Sequence, residues 1–369
     1  MRASPEEGKI FVPGRINFLG EHLDYNGGTV LPFTLNLGLT GCWETIAEPV
    51  VEIWSEGHPR RCIIPLRETW LHPPLDPWYR PAWAMLCVLV ARYPGKERGF
   101  RLRISSTLPA GAGLSSSAAI EVLMGCVFAA VQEVHPELAD VAFAALEAEH
   151  HHLGVRCGIM DMWAIVHGKK GYLTAIDCNG PSHKLVPFST GPFQPLIINS
   201  RQPRTLAHSA YNDRRAACER ALKALQSLWS VPYLAAALPE MLIAIPSEED
   251  KRRARHVISE NRRVQKAIVC LENGNFQALG PLLRESHRSL AEDYQVTTPL
   301  LDRLAEWANS QEGCLGCRMT GAGFGGCLIA LVHQDALPTF RKKFDAFAST
   351  FSPPPELLDA RPGEINFLL

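Results

Sequence analysis

The chain has 369 residues, of which 46% are hydrophobic, so it can bury a sizeable core and form more than one domain. Its 37 Lys and Arg residues almost balance its 38 Asp and Glu residues, giving a formal net charge of −1. This balance argues against a nucleic-acid-binding protein and against attraction to anionic membranes. Any anionic ligand must therefore be held by a local site.

The termini, the apolar segments and the cysteines indicate a cytoplasmic protein. Residues Met1 to Lys9 are polar and lack the apolar segment of a secretory signal, and the apolar stretch Ile120 to Val131 is too short to span a bilayer. Eleven scattered cysteines fit a reducing compartment. We interpret Cys314 and Cys317 as ordinary thiols, because no second pair lies nearby to complete a zinc site. A monomer is favoured, with no membrane or nucleic-acid partner.

Hydrophobic periodicity predicts an α+β protein. Predicted strands are Val51–Trp54, Phe100–Ile104, Tyr172–Cys178, Leu196–Asn199 and Cys327–Val332. Predicted helical stretches are Pro81–Arg92, Ser116–Gln132, Ala139–Leu153, His208–Asn309 and Leu337–Ala348. The segment Asn179–Pro195 is rich in Pro, Gly and Ser, which is typical of a linker. We therefore divide the chain into an N-terminal domain, 1–190, and a C-terminal domain, 195–369.

A polar cluster near the N-terminus, Pro13 to Gly28, mixes Arg, Glu, His, Asp, Tyr and Asn with glycines. The carboxylates of Glu21 and Asp24 can accept hydrogen bonds from vicinal hydroxyls, and Arg15 supplies a cation for phosphate oxygens. These groups suit the recognition of a polyol. The alternative is a solvated loop with turn glycines.

A second cluster, Pro109 to Ala119, lies between a predicted strand and a predicted helix. Gly111 and Gly113 allow a tight turn that brings backbone N–H groups to a ligand, and the positive end of the helix dipole at the serines favours an anion such as a triphosphate. No Lys follows the glycines, so this is not a Walker A loop, and a metal ion or another residue must balance the charge. The alternative is that Gly and Ser only cap a core helix.

One acidic residue, Asp161, lies in the apolar segment Cys157 to Val166. Such a carboxylate is either a helix cap or a functional group that orients a hydroxyl and accepts its proton. Upstream, Glu147 or Glu149 can reach a magnesium ion, which takes oxygen ligands from one Glu, one Ser and phosphates. The neighbouring His run, 150–152, is interpreted as a solvated helix end.

A late glycine motif, Arg318 to Cys327, precedes the predicted strand Cys327–Val332. Its glycines indicate backbone packed where side chains do not fit, against a ligand or a facing loop. A tight β-turn is the alternative. The position of the motif suggests that the C-terminal domain closes over a site built mainly by the N-terminal one.

These motifs, in this order, resemble the GHMP small-molecule kinases, and most closely the galactokinases among them. The resemblance is almost residue for residue in three segments: Gly14–Asn26, Gly113–Ala118 and Cys157–Asp161. Further similarity lies at Tyr211–Glu219, Arg255–Glu260 and Ser286–Leu290. The resemblance implies an N-terminal domain like ribosomal protein S5 domain 2 and a C-terminal ferredoxin-like domain. It also implies phosphoryl transfer from MgATP to the anomeric hydroxyl of galactose.

The resemblance assigns roles by position. Asp161 is expected to be the catalytic base, steadied by Arg15. The expected sugar contacts are Glu21, His22, Asp24, Gly158 and Tyr211. The expected ATP contacts are Trp83, Gly111, Ala112, Gly113, Leu114, Ser115, Ser116 and Ser117, with Trp83 at the adenine. Ser117 and Glu149 take the Mg²⁺ positions.

The sequence departs from the galactokinase pattern at several places. Few residues precede Pro13, and the segment Pro353–Leu369 differs from the usual ending. Leu23 replaces a small or polar residue, and Met162 replaces a Gln beside the expected base. Two alternatives therefore stay open, which are a kinase of the same fold for another sugar or polyol, and a non-catalytic sugar and ATP sensor.

Overall fold

The computed structural model describes residues 6–202, 207–359 and 361–368. Its strands form three sheets, and helices pack against them. The strands are β1 Glu7–Asn17, β2 Thr29–Val30, β3 Pro32–Ile46, β4 Val50–Ser55, β5 Cys62–Pro65, β6 Gly99–Ser106, β7 Tyr172–Asp177, β8 Ser182–Pro187, β9 Phe193–Asn199, β10 Cys314–Thr320, β11 Cys327–His333, β12 Glu356–Leu358 and β13 Asn366–Leu368. The α-helices are α1 Arg80–Arg92, α2 Ser116–Gln132, α3 Leu138–Ala148, α4 Met160–His167, α5 Ala207–Gln226, α6 Glu248–Glu272, α7 Leu279–Ser289, α8 Pro299–Asn309 and α9 Leu337–Ala348.

The first sheet has the strand order β13-β1-β3-β6-β4-β5, and helix α2 packs against β1 and β3. Most side chains of α2 are buried, so this helix is held by packing over nearly its whole surface. A register shift between Pro13 and Arg15 interrupts the pairing of β1 with β3. Such a bulge re-aims a side chain. Gly14 fits there because a Cβ atom would lie 2.6 Å from the Leu114 carbonyl oxygen.

The second sheet has the order β10-β11-β9-β12, and helices α7 and α8 pack against β10. The third sheet, β2-β7-β8, lies beside the first, with β7 in contact with β3. Strand β11 is buried from Cys327 to Val332, which agrees with its continuous apolar sequence. No helix among the described residues has both the length and the apolar character needed to cross a membrane.

Most predicted elements are confirmed, and two predictions are corrected. The helix predicted to end at Leu153 leaves the α-helical form after Ala148 and continues as a π-helical turn, Glu149–Leu153. The predicted linker Asn179–Pro195 contains strand β8 and the start of β9, so a segment rich in turn residues still forms a sheet edge. The division into domains stays a prediction. Strand β13 belongs by sequence to the predicted C-terminal domain, but it pairs with β1 in the first sheet.

Candidate active site

A cavity of about 540 Å³ brings together most of the residues that the sequence predicts for the site. Its wall includes Arg15, Glu21, His22, Asp24, Gly111, Gly113, Ser115, Ser116, Ser117, Glu149, Gly158, Asp161 and Tyr211. The volume suits a small-molecule ligand. Gly321 and Ala322 also belong to this wall, so residues that lie up to about three hundred positions apart in the chain meet in one place.

Arg15 and Asp161 form a bidentate ion pair in the wall of this cavity. The Arg15 Nε and Nη2 atoms donate to Asp161 Oδ1 and Oδ2, each at 2.8 Å, and Ser115 Oγ donates to Oδ2 at 2.5 Å. The Arg15 side chain is buried, whereas the Asp161 side chain is 28% exposed. The sequence left open whether Asp161 caps a helix. Its oxygens face Arg15 and Ser115, and the N-terminal cap of α4 is Ile159.

The glycine- and serine-rich loop before α2 has an unusual backbone. Gly111 and Gly113 have φ angles of 69° and 74°, and Ser115, at the N-cap of α2, has a φ of 61°. The left-handed region is costly for a serine and marks positions that the surrounding structure holds in place. Arg15 fixes the loop, since its Nη1 donates to the Gly113 carbonyl at 3.0 Å and its backbone N–H donates to the Leu114 carbonyl at 3.2 Å. The N-terminus of a buried helix thus opens into the cavity.

Acidic side chains crowd the cavity wall beside this loop. Glu149, in the π-helical turn, is 6% exposed, and burial raises its pKa to about 7. Its carboxylate forms hydrogen bonds with Ser117 and with Glu121, a residue of α2 that is fully buried. Glu147 instead faces solvent and pairs with Arg92 at 2.5 Å. Of the two glutamates that the sequence offered for a metal ion, the structure places Glu149 in the cavity.

Asp24 lies against Gly158 on the other side of Asp161. A Cβ atom on Gly158 would lie 2.3 Å from Asp24 Oδ2, so glycine is required at this position. Burial and the charge of Asp161 raise the pKa of Asp24 to about 7. The Asp24 carboxyl can therefore accept or donate hydrogen bonds near neutral pH.

Aromatic rings support the same wall. His22 has a φ of 64°, its Nδ1 lies 2.8 Å from the Tyr25 hydroxyl, and its ring lies 4.5 Å from that of Tyr294 and 5.5 Å from that of Tyr211. Burial lowers the pKa of His22 well below its ordinary value, helped by the charge of the Arg214 guanidinium, so the imidazole is neutral at pH 7. The ring also interacts with the backbone of Ala322, a residue of the cavity wall.

Glu21 joins the N-terminal part of the site to the late glycine motif. Its Oε2 forms an ion pair with Arg318, and its Oε1 accepts a hydrogen bond from the Gly321 backbone N–H at 3.0 Å. Both side chains are buried. Gly321 and Ala322 line the cavity, so the late glycine motif reaches this wall. We call this contact the Glu21–Arg318 junction.

Three residues predicted for nucleotide binding lie outside the cavity wall. Trp83 is buried in α1, and its Nε1 donates to the Thr69 carbonyl at 2.8 Å, so its ring is part of the core. Ala112 and Leu114 are buried beneath the loop. Leu23 is also fully buried and contacts Gly28 in the core, whereas Met162 lines the cavity.

Sequence reasoning missed other groups at the site. Arg318 was noted only as part of a glycine motif, and Glu121 was not singled out within the apolar stretch Ile120 to Val131. Arg80 and Pro77 line the cavity without having been singled out. A charged residue inside a segment that is otherwise apolar was the one sequence signal available for a buried carboxyl such as Glu121.

Family comparisons agree with this geometry. The pattern described as "GHMP kinases N terminal domain" matches residues 81–169, and "GHMP kinases C terminal" matches residues 267–349. A third pattern, "Galactokinase galactose-binding signature", matches residues 2–44. These three ranges contain the polar N-terminal cluster, the glycine- and serine-rich loop Pro109 to Ala119, Asp161 and the late glycine motif.

Curated relatives cover most of the chain. The galactokinase of Lactobacillus helveticus is 38% identical over 340 residues, which are 90% of this chain and 87% of that protein. The galactokinase of Enterococcus faecalis is 37% identical over 337 residues, which are 89% and 87% of the two chains.

Solved structures show the same architecture. The structure of Lactococcus lactis galactokinase complexed with galactose matches with a TM-score of 0.93 and 34% identity, covering 99% of this chain and 96% of that one. A mevalonate kinase structure matches with a TM-score of 0.67 at 17% identity, covering 97% and 98%, and shares the fold alone. The predicted α+β GHMP kinase fold is confirmed, and the chain belongs to the galactokinase family of the GHMP kinases.

Proposed function

We propose that this protein transfers the γ-phosphoryl group of ATP to the anomeric hydroxyl of galactose, giving ADP and galactose 1-phosphate. The observation that carries the proposal is the position of Asp161, which Arg15 holds between the loop Pro109 to Ala119, here called the phosphate loop, and the predicted sugar contacts of one cavity. The galactokinase relatives and the galactose complex of the Lactococcus lactis protein support the choice of sugar.

The transfer needs a positioned hydroxyl and an acceptor for its proton. The sugar oxygen attacks the γ-phosphorus, the bond from that phosphorus to the ADP oxygen breaks, and the hydroxyl proton passes to the Asp161 carboxylate. Two hydrogen bonds from Arg15 and one from Ser115 fix the orientation of this carboxylate. The Arg15 guanidinium also places a positive charge beside the group that is transferred.

The opposite wall supplies contacts for sugar hydroxyls. Asp24, His22 and Tyr211 offer a carboxyl, a ring nitrogen and a phenol to the cavity, and Gly158 leaves space beside them. Glu21 is committed to the Glu21–Arg318 junction, so we assign it mainly to holding this wall in place. A site built to bond hydroxyls discriminates against sugars that lack them.

Ser117 and Glu149 would hold the magnesium ion that accompanies ATP. The donor set fits, because a hydroxyl and a buried carboxylate in contact with each other face the phosphate loop, and magnesium prefers such oxygen ligands. When bound, Mg²⁺ neutralises part of the charge on the triphosphate. Because the loop has no Lys, Arg15 and Arg80 are the cations that this cavity wall offers to the phosphates.

The test is coupled release of ADP with MgATP and a panel of galactose, N-acetylgalactosamine, glucose, arabinose, fucose and mevalonate. We expect the highest kcat/KM with galactose. Turnover of another member alone would keep the kinase and change the sugar, and Met162 would be the first residue to exchange because it lines the cavity. Ligand binding without ADP release would indicate a sensor. A cytoplasmic, monomeric protein stays part of the proposal.

A further inference from the structure

Tyr294 is a buried residue beside the cavity that the proposed reaction does not use. Its side chain is 0% exposed, so it lies behind the cavity wall. It ends the π-helical turn Leu290–Tyr294, a kind of turn that is frequent at functional sites. Its ring lies 4.5 Å from that of His22 and 4.6 Å from that of His256. Tyr294 therefore supports the ring of a predicted sugar contact from inside the protein.

A row of four side chains leads from His22 into the core, and we call it the His22–Cys218 chain. His22 Nδ1 lies 2.8 Å from the Tyr25 hydroxyl, which lies 2.8 Å from the Tyr294 hydroxyl. The Tyr294 hydroxyl in turn lies 3.2 Å from the Cys218 Sγ atom. Cys218 belongs to α5 and Tyr294 to the π-helical turn after α7. The row thus connects the sugar wall to two elements of the C-terminal half.

The two hydroxyls and the thiol of the His22–Cys218 chain keep their protons at neutral pH. Burial raises the pKa of Tyr25 and Tyr294 well above the ordinary value, and it raises that of Cys218 to about 11. Each group then has one proton to donate. All of these protons are used only if the donors point in one direction along the row. Nδ1 of His22 is then either the final acceptor or the first donor.

The backbone of Ala322 selects between these two directions. Burial lowers the pKa of His22, and the backbone of Ala322 opposes this effect. A backbone group that favours the protonated ring acts as a carbonyl oxygen that accepts from a ring N–H. Since Nδ1 faces Tyr25, the ring proton belongs on Nε2. Nδ1 therefore accepts from Tyr25, Tyr25 accepts from Tyr294, and Tyr294 accepts from Cys218.

The backbone next to Tyr294 is held by two further elements. Arg214, in α5, donates from Nε to the Tyr294 carbonyl and from Nη2 to the Gln295 carbonyl, each at 2.8 Å. The Phe324 N–H of the late glycine motif donates to the Val296 carbonyl at 2.7 Å. The position of the Tyr294 hydroxyl is thus fixed from both α5 and the late glycine motif.

We propose that Tyr294 is a positioning residue for the sugar, because through Tyr25 it orients the His22 ring and keeps the ring proton on Nε2. An imidazole whose Nδ1 accepts a hydrogen bond has one defined tautomer and offers a donor from its other nitrogen. Tyr294 acts through His22 and touches no substrate. This inference rests on the proposed function, since it concerns a predicted sugar contact.

The test is the exchange Tyr294→Phe, which removes the hydroxyl and keeps the ring beside His22. KM for galactose should rise about 5- to 20-fold, because one hydrogen bond that holds the ring is lost. KM for ATP and kcat should stay within about twofold of wild type, since only sugar binding is affected. The matched control is Tyr79→Phe. The Tyr79 hydroxyl is also buried, but it donates to the Arg60 carbonyl, so this exchange should leave KM for galactose unchanged.

The other end of the row gives a second pair of variants. Cys218→Ala removes the donor to Tyr294 and should raise KM for galactose about 3- to 5-fold. Cys218→Ser keeps a donor at the same place and should stay within about twofold of wild type. Equal rises in the two variants would report packing alone and would overturn the proposal.

Nitrogen-15 NMR of the histidine-labelled protein, without ligands, shows which His22 nitrogen carries the proton, with the His22 signals assigned by their absence from His22→Asn. We expect the proton on Nε2 in the wild type and a mixture of tautomers in Tyr294→Phe. A proton on Nδ1 in the wild type, an unchanged tautomer in the variant, or equal rises in KM for galactose and ATP would each contradict the positioning role. Failure of the wild type to phosphorylate any sugar of the panel would sink the proposed function, and the His22 signals would still decide the role of Tyr294.

Discussion

Two groups of buried glutamates in this protein differ in their partners. Glu260, in α6, is 0% exposed, and its Oε2 accepts from Arg263 Nε at 2.7 Å. Its Oε1 accepts from the Gly20 N–H at 3.0 Å and from Ser286 Oγ at 2.8 Å. Burial alone would raise the pKa of Glu260, but the charge and hydrogen bond of Arg263 and the neighbouring positive groups lower it to about 2.

Glu121 and Glu149 are buried to a similar degree, yet each lies beside the other. Burial raises the pKa of both carboxyls, and the neighbouring acid raises that of Glu121 further. The comparison shows that burial does not determine the state of a carboxyl group, whereas its partners do. A buried glutamate that faces an arginine keeps a low pKa, whereas one that faces another carboxyl has a raised pKa.

Asp161 tests whether an arginine partner always means a structural role. It has such a partner, Arg15, but faces the cavity. Asp161→Asn should lower kcat by about 10²- to 10⁴-fold, because Asn keeps the shape and cannot accept the hydroxyl proton. Galactose affinity, measured by titration calorimetry, should change less than about threefold because binding does not use that proton transfer. Unimpaired turnover in this variant would remove Asp161 from the reaction.

Exchange of the paired glutamate should cost more stability than exchange of the unpaired one. Glu260→Gln leaves Arg263 buried without its counter-charge, and we expect a loss of about 3–5 kcal/mol in the free energy of unfolding. Glu121→Gln breaks no ion pair, so its loss should stay below about 1 kcal/mol. Urea unfolding of both variants at pH 7 without metal measures the difference. Equal losses would show that the two environments do not differ in the way described.

The pH dependence of stability should show opposite signs for two carboxyls. The folded pKa of Glu260, about 2, lies below its ordinary value of 4.5, so its contribution exists above pH 4.5 and is lost as the pH falls toward 2. The folded pKa of Asp24, about 7, lies above its ordinary value of 3.8. Its contribution is therefore complete below pH 3.8 and is lost as the pH rises to 7.

Asp24→Asn should accordingly reduce the fall in stability between pH 4 and 7 and leave the acid limb below pH 4 unchanged. Urea unfolding from about pH 3 to pH 8, without nucleotide, metal or sugar, gives both limbs. The same slope above pH 4 in the variant and the wild type would show that Asp24 titrates with its ordinary pKa.

Breaking a partly exposed ion pair should have the smallest effect on the free energy of unfolding. Arg92 and Glu147 lie 2.5 Å apart, but their side chains are 34% and 40% exposed. Arg92→Ala should change the free energy of unfolding by less than about 1 kcal/mol, because water and salt screen the pair. Thermal unfolding at low and high salt measures it. A loss as large as that expected for Glu260→Gln would mean that a short distance matters more than burial.

The sequence predicted the fold class, most elements and most of the cavity wall, since these depend on local patterns. The apolar period of α2 and the Gly and Ser residues before it are both readable in the sequence. Asp161 stood out as one acid in an apolar segment. No local sequence pattern, however, indicated that the Trp83 ring lies in the core, where its Nε1 donates a hydrogen bond to the Thr69 carbonyl.

The unpredicted parts depend on contacts between residues that are distant in the chain. The partners of Glu260 include Gly20, which lies 240 positions away. Arg318 reaches the carbonyls of Asn17 and Phe18 from about 300 positions away. Strand β8 was missed because turn residues dominate its surroundings, and its pairing with β7 overrides their weak local preference.

The Glu21–Arg318 junction has a consequence for how the chain folds. Glu21 and Arg318 lie about 300 positions apart and form one buried ion pair, so neither half of the chain can bury its charge without the other. A fragment that ends near residue 190 would carry Glu21 in an apolar setting with no arginine beside it. We therefore expect both halves to unfold in a single cooperative transition, and we expect chimaeras of two relatives to fold best when Glu21 and the glycine motif come from the same parent.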